Sequence, residues 1–360
     1  MALTVAEAGG AAAPAADRAV TSGARRAPLV AVDAMGGDQA PSEIVAGALL
    51  SAEAGISVLL VGQEPVVKPL LDGLDDRLPA GLVEFQHAGE VFAMDDDPAK
   101  SVRRKKDSSL VRCAEAVRDG RADAMVSAGN TGATMASALL RMGRIKGVAR
   151  PAIATPLPVP VKDTPTILLD AGANAECSAE WLVQFAQMGA VFATSRFGIE
   201  HPRVALLSIG EEMGKGDEMR KRTYDLLSKL PGFIGNVEGC DLTLGRADVV
   251  VTDGFTGNVA LKTIEGGMRT VLRLAAEALN IEVGDARVGE KLEPVLGPAV
   301  AQYDPDAFGG AVLLGIDGVC VISHGASNAR NIDTAIRLAA ECAEAGIVHR
   351  MKEAISHHGV

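Results

Sequence analysis

The stretch RADVVVTDGFTGN, Arg246 to Asn258, decides the fold of this chain. Its apolar run VVV is short and β-branched, and it ends in a polar turn that holds two glycines. The residues that follow, VALKTIEGGMRTVLRLAAEAL, have their apolar positions at helical spacing. These three patterns predict a buried strand, a glycine turn and a helix, in that order.

Six further segments repeat this order of strand, turn and helix. Their strands and turns are LVAVDAMGGD (Leu29 to Asp38), ISVLLVG (Ile56 to Gly62), ADAMVSAGNTGA (Ala122 to Ala133), TILLDAGAN (Thr166 to Asn174), RVALLSIG (Arg203 to Gly210) and GVCVISHGASN (Gly318 to Asn328). Repeated alternation predicts an α/β fold, a parallel sheet with helices on both faces. Ligands of such sheets bind outside the carboxyl ends of the strands, so we expect the turns to converge on one sheet edge.

Two of these units resemble each other. RADAMVSAGNTGA (Arg121 to Ala133) and RADVVVTDGFTGN share Arg, Ala, Asp, Val, Gly, Thr and Gly at matching places. Helix starts of this composition expose backbone N–H groups, and the helix dipole favours negative charge there. The pair indicates that one kind of anion-receiving loop is used twice; the alternative is that every α/β protein needs glycine turns.

Composition and charge exclude several classes of protein. The chain has 360 residues, 40 glycines and a formal net charge of −11, whereas nucleic-acid binding needs a broad basic surface. No apolar run is long enough for a transmembrane helix. Five scattered cysteines, none in CxxC spacing, fit neither a disulfide framework nor a zinc site. We therefore expect a cytoplasmic protein that does not bind nucleic acid.

Several motifs that would assign a cofactor are missing from the sequence. There is no GxxxxGK[ST], no GxGxxG after the first strand, no GxSxG and no HExxH, so ATP, NAD, hydrolase and zinc-protease interpretations lose their support. The first 27 residues are rich in Ala and Gly and end in Arg25 and Arg26, the reverse order of a signal peptide. We predict a disordered extension over 1–27 and a single α/β catalytic domain over 28–360.

Eight strings occur in the order found in one known family. They are DAMGGD (Asp33 to Asp38), RRKKDSS (Arg103 to Ser109), VSAGNTGA (Val126 to Ala133), DAGAN (Asp170 to Asn174), QFAQMG (Gln184 to Gly189), LSIGEEMGKG (Leu207 to Gly216), DGFTGNVALK (Asp253 to Lys262), and GGAVLLGIDG with HGASN (Gly309 to Gly318, His324 to Asn328). Together they resemble the phosphate acyltransferase family of bacterial phospholipid synthesis. The resemblance covers nearly the whole chain from Pro28 onward.

The resemblance implies a fold similar to phosphotransacetylase and the isocitrate/isopropylmalate dehydrogenases. It implies transfer of a long-chain acyl group from acyl carrier protein to inorganic phosphate, with no metal or nucleotide cofactor. The acyl phosphate would feed a glycerol-3-phosphate acyltransferase in the membrane. It also implies a homodimer, and we assign the amphipathic helical segment 265–300 to dimer contact or to peripheral contact with the inner face of the membrane.

Three residues are the candidates for catalysis. Lys215 lies in the EEMGKG loop, where an ammonium could bind phosphate or the thioester oxygen; the alternative is a solvated loop lysine. Asn258 is a neutral donor for an oxyanion, or else a helix cap. His324 could donate to phosphate or protonate the leaving thiolate, or else cap the last helix.

Two further sets complete the expected site. The residues expected to bind phosphate or acyl phosphate are Asp33, Gly36, Gly37, Ser127, Gly129, Asn130, Thr131, Gly132, Asn174, Asp253, Gly257 and Ser327. The basic run Arg103, Arg104, Lys105 and Lys106 is expected either to dock the acidic carrier protein or to be a solvated loop.

Two other mechanisms, magnesium binding by carboxylates and covalent catalysis by a cysteine, have candidate residues in the sequence. Asp33, Asp38, Asp170 and Asp253 lie at strand ends, and we interpret them as acceptors of backbone N–H bonds rather than as magnesium ligands. An acyl intermediate on Cys177 is conceivable, but no histidine lies near it in sequence.

Three alternatives to the long-chain reaction stay open. They are a short-chain phosphotransacetylase acting on coenzyme A thioesters, a metal-dependent hydroxyacid dehydrogenase of the same fold class, and a non-catalytic membrane scaffold.

Overall fold

The computed structural model describes residues 27–73, 81–93, 96–160, 162–278 and 308–357. All but the last residue of the extension 1–27, and residues 279–300 of the segment assigned to dimer or membrane contact, lie outside these ranges. Both assignments remain predictions.

Strands and helices alternate along most of the described chain. The strands are β1 (Leu29–Asp33), β2 (Ser57–Gly62), β3 (Val83–His87), β4 (Ala124–Ser127), β5 (Ala152–Leu157), β6 (Thr166–Leu169), β7 (Val204–Leu207), β8 (Phe233–Val237), β9 (Val249–Val251), β10 (Ala311–Leu314) and β11 (Val319–Ile322). The helices are α1 (Ser42–Glu53), α2 (Glu64–Asp72), α3 (Pro98–Arg104), α4 (Ser109–Arg118), α5 (Thr131–Arg141), α6 (Ala179–Phe197), α7 (Glu218–Leu227), α8 (Gly254–Ala278), α9 (Ala329–Glu344) and α10 (Ile347–His357), with a 3-10 helix at Gly239–Thr243.

All eleven strands belong to one sheet, in the order β3-β2-β1-β4-β11-β10-β5-β6-β9-β7-β8. Strands β3, β2, β1, β4 and β11 are mutually parallel, as are β6, β9, β7 and β8. Between them β10 is antiparallel to both β11 and β5, and β5 is antiparallel to β6. The two parallel halves therefore run in opposite directions. The registers place Val126 near the end of β4 and Leu169 at the end of β6 on one row across the sheet, so the carboxyl ends of the two halves reach the middle of the sheet from opposite sides.

The core explains why the strands are apolar along their whole length. Strands β1, β4, β6, β7 and β9 are buried at every position. On one face they pack against α1, α6, α9 and α10, and on the other against α4, α5 and the first part of α8. The predicted α/β fold with helices on both faces is confirmed; a fully parallel sheet is not.

The two similar units occupy equivalent positions in the two halves. Asp123, before β4, accepts a 2.8 Å hydrogen bond from the backbone N–H of Leu29 at the start of β1. Asp248, before β9, accepts a 2.9 Å bond from the N–H of Arg203, just before β7. In each case the aspartate ties its strand to the adjacent one, so the resemblance in sequence reflects a repeated local structure.

No helix in the described ranges combines the length and the apolar character that crossing a membrane requires.

Candidate active site

Three neighbouring strands, β6, β9 and β7, end at the same edge of the sheet. The turns that follow them are residues 170–174, 253–258 and 208–217. Helices α6 and α7 begin after the first and the third, and the second includes the first turn of α8. We call these three turns the lysine edge, because Lys215 lies in the third. Three helices begin at this edge, and the positive ends of their dipoles make it suited to an anion. The side chains of Ser178, Asp217 and Asp253 already accept one of the first N–H groups of each helix.

Asp170 organises the first of these turns. It is fully buried, and its carboxylate accepts backbone N–H bonds of 2.8–3.1 Å from Ile153, Gly172, Ala173 and Asn174. Burial raises the pKa of Asp170, and these hydrogen bonds oppose the rise. The interpretation of this aspartate as a loop-orienting acceptor is confirmed.

Arg220 joins the other two turns. Its Nη2 atom lies 2.7 Å from Asp253 Oδ2 and 3.0 Å from Thr256 Oγ1, and its Nε donates to the carbonyl of Leu207 at 3.2 Å. Asp253 also accepts the N–H of Thr256 at 2.8 Å. Burial alone would raise the pKa of Asp253, but the Thr256 bonds and the Arg220 charge outweigh it and hold the pKa below its ordinary value.

Lys215 and Asn258 are exposed hydrogen-bond donors of the lysine edge. The stem of Lys215 lies against Gly210, since a Cβ there would be 3.0 Å from its Cγ. Asn258 lies next to Gly172, and it does not cap α8, which begins four residues earlier at Gly254. Neither side chain has a hydrogen-bond partner among the described residues, so both can donate to a ligand.

Two buried polar atoms lie beneath the Lys215 loop without a partner in the described part of the protein. They are Ser208 Oγ and Asn236 Oδ1, in residues that are 8% and 7% exposed. The amide of Asn236 donates to the carbonyl of Glu212 at 3.0 Å and so holds the loop over β8. A buried unpaired group costs free energy, so the underside of this loop is not fully satisfied in this conformation.

Glycines and hydroxyl groups fill the turns where β1, β4 and β11 end; we call these turns the glycine edge. Buried Asp33 accepts from Ser127 Oγ at 2.8 Å and from the N–H of Met35 at 3.2 Å. Burial raises the pKa of Asp33, and these hydrogen bonds oppose it. A Cβ on Gly36 would lie 2.5 Å from Asp33 Oδ2 and 2.9 Å from the nitrogen of Gly129, so only glycine fits.

Helix caps account for the asparagines of the glycine edge. Asn130 Oδ1 accepts from the N–H of Ala133 at 2.9 Å and caps α5, just before Thr131 and Gly132. Asn328 caps α9 by accepting from Arg330 and Asn331. The proposed capping role of His324 is therefore wrong.

His324 is exposed at this same edge, and its Nδ1 accepts the N–H of Ala326 at 3.2 Å. Ser327 is buried and shares a 2.8 Å hydrogen bond with Ser323.

The expectation that all the turns converge on one sheet edge is wrong. Lys215, Asn258, Asn174, Asp253 and Gly257 lie at the lysine edge. The glycine edge holds Asp33, Gly36, Gly37, Ser127, Gly129, Asn130, Thr131, Gly132, His324 and Ser327. The two groups of turns follow strands that reach the same row of the sheet from opposite sides. Helix α5, eleven residues or about 16 Å long, starts at the glycine edge and runs back along the sheet.

The four residues of the basic run are not equally exposed. Arg103, Arg104 and Lys106 are exposed. Lys105 is partly buried, and its ammonium lies 2.5 Å from Asp96 Oδ2 and 2.8 Å from the carbonyl of Val91. Three of the four cations are thus available at the surface, next to the α3–α5 contact. Lys105 instead stabilises the segment before α3 through its bonds to Asp96 and Val91.

The surroundings of Cys177 argue against a thiolate nucleophile. Its Sγ lies 3.6 Å from the carbonyl of Asn174, and burial raises the pKa of the thiol to about 12. The thiol is therefore protonated near neutral pH, and covalent catalysis loses its support.

Sequence reasoning missed Arg220, the central connector of the lysine edge. It stands in the run DEMRKR with two other basic residues, of which Arg222 is 69% exposed and paired with Glu180. The available signal was Asp217, an N-cap three residues before Arg220, because that spacing places the two side chains on one face.

Comparisons with known proteins agree with this architecture. The chain matches the model of a family described as "Fatty acid synthesis protein" over residues 29–350. Among solved structures, a phosphotransacetylase from Streptococcus pyogenes superposes with a TM-score of 0.58 at 18% identity, over 88% of this chain and 94% of that one. A branched-chain phosphotransacylase from Enterococcus faecalis gives 0.55 at 14% identity, over 88% and 99%. These structures show the fold, which is the predicted one.

Curated relatives are similar over nearly their full length. A phosphate acyltransferase from Desulfitobacterium hafniense is 48% identical over 327 residues, covering 90% of this chain and 96% of the relative. One from Elusimicrobium minutum is 47% identical over 332 residues, covering 91% and 96%. One from Dictyoglomus turgidum is 44% identical over 330 residues, covering 91% and 97%. The chain therefore belongs to the phosphate acyltransferase family, and it is an enzyme that transfers acyl groups with phosphate as a reactant.

Proposed function

We propose that the enzyme moves a long-chain fatty acyl group from the thioester of acyl carrier protein to inorganic phosphate. The acyl phosphate then serves phospholipid synthesis through a glycerol-3-phosphate acyltransferase of the membrane. The observation that carries the proposal is the lysine edge, where the Lys215 ammonium and the Asn258 amide lie near three helix starts and have no partner in the described part of the chain.

The reaction needs little covalent help from the protein. A phosphate oxygen attacks the thioester carbonyl carbon, a C–O bond forms, the C–S bond breaks, and the thiolate leaves and takes up a proton. The enzyme must hold two anionic partners together and stabilise the oxyanion between these steps. Positioning supplies roughly 7–11 kcal/mol in favourable cases, and one oxyanion donor about 2.7–4 kcal/mol.

Each side chain of the lysine edge has a role in this scheme. The Lys215 ammonium neutralises phosphate or the developing oxyanion. The Asn258 amide donates a neutral hydrogen bond to the same oxygen. Asn174 supports the adjoining turn, since its amide donates to Pro151 and Asp170 at 2.8 Å, and Gly257 lets α8 pack against the Asp170 carbonyl. Arg220 acts as a positioning residue, because its charge is already paired with Asp253 and Asp217.

The glycine edge has a different place in the proposal. The exposed Thr131 and His324 and the N-terminus of α5 offer a second anion-binding surface. His324 follows β11, in the other half of the sheet from Lys215, so we assign proton transfer to the thiolate to solvent.

The surface cations Arg103, Arg104 and Lys106 are proposed to dock the acidic carrier protein. Reversing their charge should raise the KM for the carrier far more than the KM for phosphate. An unchanged carrier KM would remove this patch from the proposal. We further propose a homodimer and peripheral contact with the inner face of the membrane.

The test is phosphate-dependent release of free thiol from palmitoyl carrier protein, by the wild type and by Lys215→Ala. We expect release that requires phosphate and falls about 10²–10³-fold in the variant, while its unfolding free energy stays close to that of the wild type. Release that survives in the variant would remove Lys215. Failure with palmitoyl carrier protein together with turnover of acetyl-coenzyme A would replace the long-chain donor by a short-chain one.

A further inference from the structure

Exposed apolar side chains are concentrated on the turns that carry Lys215 and Asn258. Ten large apolar residues of the described chain are exposed; three of them lie on these two turns and a fourth is the residue after Asn258. They are Ile209, Met213, Phe255 and Val259, with exposures of 79%, 74%, 66% and 49%. We call these four residues the apolar rim.

The rim is connected to the polar centre of the lysine edge. Met213 stands two residues before Lys215, and Phe255 and Val259 flank Asn258 in the first turns of α8. Arg220 holds the two turns together, from the carbonyl of Leu207 to Thr256 Oγ1. Apolar and hydrogen-bonding groups are therefore presented on one pair of linked turns.

We propose that the apolar rim binds the hydrocarbon chain of the thioester donor and makes the enzyme prefer long acyl chains. This inference rests on the proposed function, because it requires an acyl thioester at Lys215 and Asn258. The donor has a polar carbonyl at one end of an uncharged chain. The lysine edge likewise combines polar groups, Lys215 and Asn258, with the apolar rim. Burying the chain against the rim removes apolar surface from water on both sides.

The charges around the rim favour an uncharged chain over a second copy of the protein. Ion pairs surround the rim: Glu211 pairs with Arg246, Asp217 with Arg220, and Glu218 with Lys221. A second copy of the protein covering the rim would have to desolvate these ion pairs, which costs free energy. A hydrocarbon chain is narrow enough to lie along the rim and leave the ion pairs in water.

The experiment compares wild type with a double variant, Met213→Ser and Phe255→Ser, which changes one rim residue on each turn. Val66→Ser is the matched control, since Val66 is 40% exposed on α2, in the other half of the sheet. Donors are butyryl, octanoyl and palmitoyl carrier protein. For each donor we would measure kcat/KM for thiol release, and binding by fluorescence anisotropy of labelled carrier.

We expect wild-type binding and kcat/KM to rise with chain length, by up to about four-fold for each methylene removed from water. The double variant should lose at least ten-fold with the palmitoyl donor and keep its butyryl activity, and Val66→Ser should match the wild type. A chain-length dependence that is unchanged in the double variant overturns the inference. A shift in sedimentation coefficient with that dependence unchanged would assign the rim to subunit contact instead.

The inference and the proposed function fail separately in this design. If no donor is turned over by the wild type, yet chain-length-dependent binding is present and disappears in the double variant, the rim is a hydrocarbon site and the proposed function is wrong. If all donors are turned over with equal kcat/KM and bind equally, the proposed transfer stands and the rim assignment falls.

Discussion

Arg220 and Asp253 form an ion pair that joins the first turns of two helices from neighbouring strands, with 2.7 Å between Nη2 and Oδ2. The two side chains are only 13% and 10% exposed. Removing one partner of such a buried pair leaves an unpaired charge in a desolvated place. The pair therefore controls both the stability of this edge and the relative position of the Lys215 loop and Asn258.

Arg220→Met should lower the free energy of unfolding by about 3 kcal/mol and reduce kcat for thiol release. The matched control is Arg222→Met on the same helix, whose exposed pair with Glu180 contributes at most about 1 kcal/mol. Urea unfolding of both variants measures the difference. Equal losses of unfolding free energy in the two variants would show that the Arg220 pair contributes no more stability than an ordinary surface pair.

The depressed pKa of Asp253 predicts a specific acid dependence of stability. In the folded protein the pKa lies below its ordinary 3.8, so the unfolded chain binds this proton more readily. The stabilisation is complete above about pH 5 and is lost as the pH falls through 3.8 towards the folded-state value.

Urea unfolding of wild type and Asp253→Asn between neutral and acidic pH measures this dependence. The wild type's advantage should be constant near neutrality and should shrink in acid. An advantage that is independent of pH would contradict the depressed pKa.

Two asparagines should respond in opposite ways to substitution. Asn258→Ala removes an exposed donor with no partner in the described chain, so we expect activity to fall about 10²-fold or more with little change in stability. Asn130→Ala removes the N-cap of α5, so we expect a loss of about 1 kcal/mol in unfolding free energy and a smaller effect on activity. Thiol-release kinetics and urea unfolding of both variants test the pair. The reverse pattern would move the reacting centre to the glycine edge.

Close packing makes Gly257 a sharp test of the lysine edge. Gly257 is buried, and a Cβ at this position would lie 1.9 Å from the carbonyl oxygen of Asp170. We expect Gly257→Ala to cost about 3 kcal/mol or more, because the helix start must move away from β6.

Gly266→Ala in the same helix is the control. A Cβ there meets nothing within 4 Å, so the change should stabilise the protein by about 0.5–1 kcal/mol. Thermal unfolding of both variants gives the comparison. Similar melting temperatures would show that α8 does not contact β6 as described.

Sequence patterns predicted the strand ends and their turns well, since strands and glycine turns leave local signals. The loop-orienting role of Asp170 and Asp253 followed from their place at strand ends, and it is confirmed. Strand direction leaves no such signal. The runs AIATPL of β5 and AVLL of β10 are as apolar as their parallel neighbours, so nothing local indicates that they reverse the sheet and place His324 and Lys215 in different halves.

Contacts between residues far apart in the sequence could not be predicted either. The choice of Arg220 over Arg222 for a buried position depends on which side of α7 faces β7 and β9, and that is set by tertiary packing. Lys105 looked like its neighbours Arg104 and Lys106 in the sequence. Only the fold of the chain between β3 and α3 brings Asp96 to its ammonium.

The opposite directions of the two half-sheets also shape the electric field of the molecule. In a sheet whose strands all run one way, the dipoles of the helices that follow them add along the molecule. Here α5 and α9 follow strands of one half and α6, α7 and α8 follow strands of the other, so the two sets oppose each other. Each edge still keeps partial positive charges of about half an elementary charge per helix start, effective within a turn. On a chain with net charge −11, anions are repelled at long range and held only on contact. Phosphate capture should therefore be a short-range event, governed by fit rather than by steering.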